Sequence, residues 1–178
     1  MISYFIRLIL ILLRSVQEEK DFNKEAEFAF RPWPMDCDTN GHVNTARYFV
    51  FMEMARLDLA RRSGLLMFCL RNRLSLMAMS AKITFWREIK AFQKLTVKSK
   101  VVGYDDKFIC FEQKIVSDEG VHSVAVLRVA LRGKGYFYKP EDLMRDLHFI
   151  YEAKPFPDHV AQWLSSEDAV VENLKAGR

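Results

Sequence analysis

The sequence predicts an α+β protein in which a curved antiparallel sheet wraps around one long helix. Three observations predict it. From Thr45 to Arg62, apolar residues (Ala46, Phe49, Val50, Met54, Leu57, Ala60) cover more than one face of a helix, as when a sheet surrounds it. From Met77 to Arg132, short alternating segments are joined by tight turn signals, the pattern of an antiparallel meander. Between a strand-like segment and the helix lies the polar stretch Met35-Asp36-Cys37-Asp38-Thr39-Asn40-Gly41-His42-Val43-Asn44-Thr45-Ala46-Arg47-Tyr48, where a rigid scaffold can hold chemistry.

The chain opens on an apolar run, Ile2 to Val16, broken by Ser3 and Arg7 and closed by Arg14. As a helix it spans roughly 18–20 Å at about 1.5 Å per residue, short of a bilayer core of about 30 Å. No small-x-small cleavage site precedes Glu18, which argues against a signal peptide. Two readings stand: a helix in a membrane interface with Arg7 and Arg14 reaching headgroups, or one packed on the protein's own sheet or across a dimer. Gln17-Glu18-Glu19-Lys20-Asp21 reads as a polar linker, so residues 1–20 form an N-terminal segment and residues 21–178 one domain.

Within the domain, Ala26, Phe28 and Phe30 alternate with Glu27, Ala29 and Arg31, predicting a strand that Pro32 and Pro34 end. Gly64 is the stop signal of the long helix. Gly64–Arg73 reads as a connector whose Leu65, Leu66, Met67, Phe68 and Leu70 form core or line a pocket. In the meander, Met77, Met79, Ala81, Ile83 and Phe85 alternate with Ser80, Lys82, Thr84 and Trp86; Leu95, Val97, Ser99 and Val101 follow. Asp105-Asp106 marks a turn into Lys107–Val116, and Ser117-Asp118-Glu119-Gly120 a hairpin into Val121–Arg132. A short helix over Pro140–Leu147, an aromatic, proline-broken stretch to Pro157 and a terminal helix from Trp163, frayed at its end, complete the prediction.

Half of the 178 residues are hydrophobic, enough for a sizeable core. The formal charge of +4 comes from scattered basic residues, which suits an anionic ligand or an acidic membrane surface and lacks the dense patch of a nucleic-acid binder. Cys37, Cys69 and Cys110 are far apart and odd in number, offering neither a disulfide framework nor a zinc spacing; they point to a reducing, cytoplasmic compartment. There is no P-loop, Gly-rich nucleotide fingerprint, H-x-E zinc motif or internal repeat, and no cofactor is expected.

Asp38, Asn40 and His42 sit at i, i+2 and i+4 ahead of the helix, whose first N–H groups form an anion-binding end. A carboxylate there suggests acyl chemistry: amides at Gly41, Val43, Asn44 and Thr45 bind the substrate oxygen as it becomes negative while the carboxylate attacks or orients water. The plain alternative is helix capping. Glu53 is a rival carboxylate, although Arg56 at i+3 predicts an ion pair. His122, His148 and His159 have no ligand-like or triad-like spacing.

Asp38-Thr39-Asn40-Gly41-His42-Val43-Asn44, the pair Arg47-Tyr48 and Glu53-x-Ala55-Arg56 resemble the signature of hotdog-fold acyl thioesterases. Asp36-Cys37-Asp38 followed by Gly resembles the 4-hydroxybenzoyl-CoA thioesterase type, which implies Asp38 as the catalytic carboxylate. The same stretch is similar to that of plant acyl-ACP thioesterases, implying Asp38, Asn40 and His42 in the site, with Glu88 of Trp86-Arg87-Glu88 a weaker candidate. From the motif nearly to the C-terminus the chain is similar to the thioesterase superfamily member six-like proteins, including Gly103-Tyr104-Asp105-Asp106 and Trp163-Leu164-Ser165. The resemblance implies a hotdog fold, hydrolysis of an acyl-CoA or acyl-ACP without metal, and a homodimer or dimer of dimers. The sequence leaves open whether Asp38 is nucleophile or general base. It also leaves two rivals: an inert acyl-binding or membrane scaffold on this fold, favoured by residues 2–16, and a hydratase of acyl thioesters using His42.

Overall fold

The computed structural model describes residues 2–13, 18–152 and 154–177. In chain order it has α1 (Ile2–Leu13), β1 (Ala26–Phe30), a single 3-10 turn (Pro34–Asp36), α2 (Thr45–Arg62), α3 (Leu65–Asn72), β2 (Ser75–Phe85), β3 (Leu95–Tyr104), β4 (Phe108–Ser117), β5 (Gly120–Arg132), β6 (Phe137–Tyr138), α4 (Pro140–Asp146) and α5 (Asp158–Ala176). The sheet is antiparallel with strand order β1-β3-β4-β5-β2. β6 takes up the end of β5 beyond the last residue that β4 pairs. Because β1 and β2 occupy opposite edges, the chain must cross the sheet between them, and α2 with α3 makes that crossing.

α2 spans the predicted Thr45–Arg62. It buries Phe51, Met52, Met54, Ala55 and Leu59 in one core with Val97, Ile109, Phe111, Ile115, Leu127 and Val129 of the sheet. Its apolar residues cover more than one face because α1 packs on it as well. Gly64 supplies the helix stop with φ of +80°, which costs glycine little. On the opposite sheet face, Val102, Cys110 and Val126 pack against Phe156 and against Val160, Trp163 and Leu164 of α5. The central strands are therefore buried on both faces.

Four expectations change. The Gly64–Arg73 connector is a helix over most of its length; Leu65 and Cys69 are buried, whereas Met67 is exposed. β2 carries a bulge between Ala78 and Ser80, which reverses the alternation: Leu76 and Ala78 face inward before it and Ala81 after it. Met77 and Met79 therefore do not share a face with Ala81. The terminal helix starts at Asp158 and continues to Ala176. Finally, α1 packs on α2, and Arg7 turns inward rather than toward headgroups. Arg14 and the end of the apolar run lie outside the described residues. Among the described residues, no helix is long and apolar enough to cross a membrane.

Candidate active site

The polar stretch folds as a tight loop closed by its own backbone. The Asp38 N–H donates to the His42 carbonyl at 2.8 Å, and the Gly41 N–H to the Asp38 carbonyl at 3.1 Å. Gly41 has φ of +78°, a left-handed conformation that other residues adopt at a cost. Asp38 Oδ1 accepts the Asn40 N–H at 2.9 Å and, more weakly, the His42 N–H at 3.4 Å. Asp38 thus makes a turn rather than capping the helix. Its Oδ2 has no partner among the described residues, and the side chain is exposed.

The cap of α2 is Asn44, whose Oδ1 accepts the Ala46 N–H at 2.9 Å. Several amides expected to bind substrate are occupied: the Val43 N–H donates to the Ile89 carbonyl at 2.8 Å and the Asn44 N–H to the Asp36 carbonyl at 2.9 Å. The Thr45 N–H, the first of α2, has no partner among the described residues. It remains the open donor at a helix end whose partial charge is positive.

Segment 88–90 runs beside residues 42–43 through the antiparallel bridge of His42 with Lys90. This places Glu88 Oε2 at 2.9 Å from His42 Nε2 and Glu88 Oε1 at 3.2 Å from Lys90 Nζ. Tyr48, buried in the first turn of α2, faces the same carboxylate; burial and then the Glu88 charge push its phenol pKa up. The imidazole of His42 therefore meets Glu88, while Asp38 reaches only its backbone. The side-chain amide of Asn40 makes no hydrogen bond among the described residues. His122 is fully buried, with Nδ1 at 2.9 Å from the Glu88 carbonyl and Nε2 at 2.7 Å from Ser117 Oγ, and so fixes the 88–90 segment.

Beneath the loop, Asp36 is buried and bonded on three sides. Oδ2 accepts from Arg7 Nη2 at 2.8 Å and from the Trp33 N–H at 2.8 Å, and Oδ1 lies 3.6 Å from Arg47 Nε. Sequence reasoning passed over this residue because its partner Arg7 belongs to the apolar N-terminal run.

Further along α2, a cavity of about 490 Å³ opens between α2, α3 and the sheet, within the roughly 300–1,000 Å³ usual for small-molecule pockets. Its lining is largely apolar, including Phe49, Leu57, Leu66, Leu70, Leu76 and Leu127, with Glu53 and Arg56 on the wall and Tyr4 of α1 at its edge. Glu53 and Arg56 do not form the expected ion pair. Glu53 Oε1 lies 3.5 Å from the Tyr4 hydroxyl, while Arg56 donates to Gln113 Oε1. Burial lowers the Arg56 pKa to about 10, partly offset by the nearby Glu53 charge, and leaves it cationic at neutral pH. Among the described residues no cluster of three or more His, Cys, Asp or Glu is arranged to hold a metal ion.

Residues 32–164 match the family model of the Thioesterase-like superfamily, three quarters of the chain, and the protein belongs to that family. It is 25% identical over 178 residues to Protein THEM6 of Xenopus laevis, covering 97% of this chain and 84% of that one. It is 30% identical over 129 residues to the L-carnitine dehydrogenase/betainyl-CoA thioesterase of Agrobacterium fabrum, covering 68% of this chain and 26% of that longer protein. Among solved structures it resembles a probable thioesterase from Bartonella henselae with a TM-score of 0.59 and 25% identity, over 66% of this chain and 98% of that one. The fold is the hotdog of these thioesterases, and family membership supports thioester hydrolysis as the class of reaction.

Proposed function

We propose that this protein hydrolyses an acyl-CoA, or an acyl-ACP, to the free acid and the thiol, with Asp38 as the reacting carboxylate. One observation carries the reading: backbone N–H groups hold Asp38 Oδ1 while Oδ2 is left exposed on the loop that leads into α2. As nucleophile, Oδ2 attacks the thioester carbon, the C–S bond breaks, and water then cleaves the mixed anhydride. As general base, it takes a proton from water, whose oxygen ends in the acid while the thiolate leaves and is protonated. The Thr45 N–H is suited to the developing oxyanion; loss of one such donor costs about 2.7–4 kcal/mol in well-studied enzymes. His42, turned toward Glu88, and the free amide of Asn40 orient the water or the thioester. The apolar cavity takes the acyl group.

The test is thiol release from a panel of short, long and aromatic acyl-CoAs by wild type, Asp38→Asn and Glu88→Gln. Turnover that is lost in Asp38→Asn and only partly reduced in Glu88→Gln is expected. Near-normal turnover by a folded Asp38→Asn would exclude the assignment. Absence of release by wild type would favour the inert acyl-binding scaffold, and substrate consumed without thiol release would favour hydration.

Two further parts of the proposal concern assembly. Among the described residues β2 is hydrogen-bonded to a strand on one side only, with Met77, Met79 and Phe85 exposed, as for a strand that pairs with a second copy in a homodimer, or in a dimer of dimers. The outward face of α1 exposes Phe5, Ile6, Ile9, Leu10, Leu12 and Leu13, a surface that suits the membrane interface of a cytoplasmic protein.

A further inference from the structure

Helix α1 lies before the residues that match the family, yet its only charged side chain reaches the base of the candidate catalytic loop. Tyr4, Arg7, Leu8 and Ile11 recur at i, i+3, i+4 and i+7 and are buried or half-buried, while the other side chains of residues 4–13 are exposed. Within this stripe the Arg7 guanidinium lies 4.5 Å from the Trp33 ring centre and 5.3 Å from that of Phe51 on α2. Its Nη2 donates to the Arg31 carbonyl at 3.0 Å and to Asp36 Oδ2 at 2.8 Å. One side chain thus touches the end of β1, the bend after it and the central helix.

Asp36 passes that constraint on. Its carbonyl accepts the N–H of Asn44, the cap of α2, and its carboxylate faces Arg47 in the first turn. Residues 37–43, including Asp38, are strung between these two anchors. Stability alone is a weak reason for such an arrangement, because apolar replacement of a buried ion pair is often neutral or stabilising. Fixing the register of a loop against two helices is a better one. We infer that Arg7 is a positioning residue: through Asp36 it sets the geometry of the Asp38 loop and of the α2 N-terminus, so that the N-terminal helix is part of the catalytic apparatus.

This rests on the proposed role of Asp38, and the experiment separates the two. In the full chain, Arg7→Ala is compared with Arg7→Lys and with Arg128→Ala, a control that removes ion pairs to Asp105 and Asp168 at the opposite side of the sheet. On the acyl-CoA that wild type cleaves best, Arg7→Ala should lower kcat between about tenfold and a hundredfold, the cost of small misplacements in catalysis, and shift KM by less than about twofold. Arg7→Lys should be intermediate, since an ammonium meets Asp36 but lacks the planar guanidinium that lies against the Trp33 and Phe51 rings. Added guanidinium ion should restore part of the Arg7→Ala rate, and Arg128→Ala should keep wild-type kcat. Unchanged kcat in folded Arg7→Ala, or an equal fall in Arg128→Ala, would overturn the inference. If wild type cleaves no thioester, the catalytic reading fails, and amide exchange judges the positioning by itself: the Gly41 and Val43 N–H groups should exchange faster in Arg7→Ala while α5 is unaffected. Unaltered protection there would overturn it equally. Should Arg7→Ala not fold, the Arg7→Lys rate and exchange carry the same comparison.

Discussion

Gln113→Leu tests how the central helix is fixed to the sheet. Gln113 is fully buried on β4. Its Oε1 accepts from Arg56, and its Nε2 donates to the Met52 carbonyl at 3.1 Å and to Ser99 Oγ at 2.8 Å. Leucine has a similar volume and none of these bonds. A hydrogen bond to a charged group contributes about 1.5–3 kcal/mol, and orphaning the buried Ser99 hydroxyl costs about 1–3 kcal/mol. The Met52 carbonyl keeps the acceptor role it has within α2, so its loss is small. Against this, the added apolar surface recovers part of the total. A net loss of about 3 kcal/mol follows, which at about 2–4 °C per kcal/mol for a chain of this size lowers Tm by about 10 °C. Thermal unfolding followed by circular dichroism measures it. A second consequence is specific to this geometry. Gln113 holds Arg56 away from Glu53, three residues earlier on α2; without it, Arg56 is free to meet that carboxylate. Glu53→Gln should therefore destabilise more in the Gln113→Leu background than in wild type. A Tm shift below about 2 °C, or strict additivity of the two substitutions, would refute the reasoning.

Two assembly predictions follow from exposed surfaces. Sedimentation should give twice the 20.9 kDa of one chain, and Met77→Glu with Met79→Lys should shift the protein toward monomer; a wild-type monomer at micromolar concentration would remove β2 as the interface. The full chain should sediment with liposomes, and Leu10→Glu with Leu13→Glu should release it. Because Arg7 faces inward, its charge should add nothing to binding, and neutral as well as anionic vesicles should take up the protein. Protein remaining in the supernatant with both vesicle types would exclude α1 as the contact.

Much of the fold is legible because its signals are local. The limits of α2 follow from a polar loop before it and Gly64 after it, and the β4–β5 hairpin is marked by Ser117-Asp118-Glu119-Gly120. The misread parts depend on tertiary partners. The β2 bulge leaves the residue types unchanged and alters only which of them face inward. Glu53 and Arg56 have the spacing of an ion pair, but a glutamine 57 positions beyond Arg56 captures the guanidinium. Glu88 looks like ordinary strand-end charge until the bridge between residues 42 and 90 sets it against His42. Arg7 interrupts an apolar run, and its meaning depends on Asp36, 29 residues away.

The choice between the two carboxylates near His42 can be argued from their surroundings. Glu88 has a basic nitrogen at each oxygen, His42 at 2.9 Å and Lys90 at 3.2 Å. Such partners occupy the lone pairs that a nucleophile or base must offer. Asp38 is held differently. Backbone amides restrain one oxygen and leave the other exposed, so the group is oriented without being neutralised. Glu88 is better placed to hold the His42 ring and keep it from bonding to Asp38. On this division of labour, Glu88→Gln frees the imidazole and weakens orientation, whereas Asp38→Asn removes the reacting oxygen itself. The two losses should therefore differ in kind: a partial fall in rate for the first and no turnover for the second.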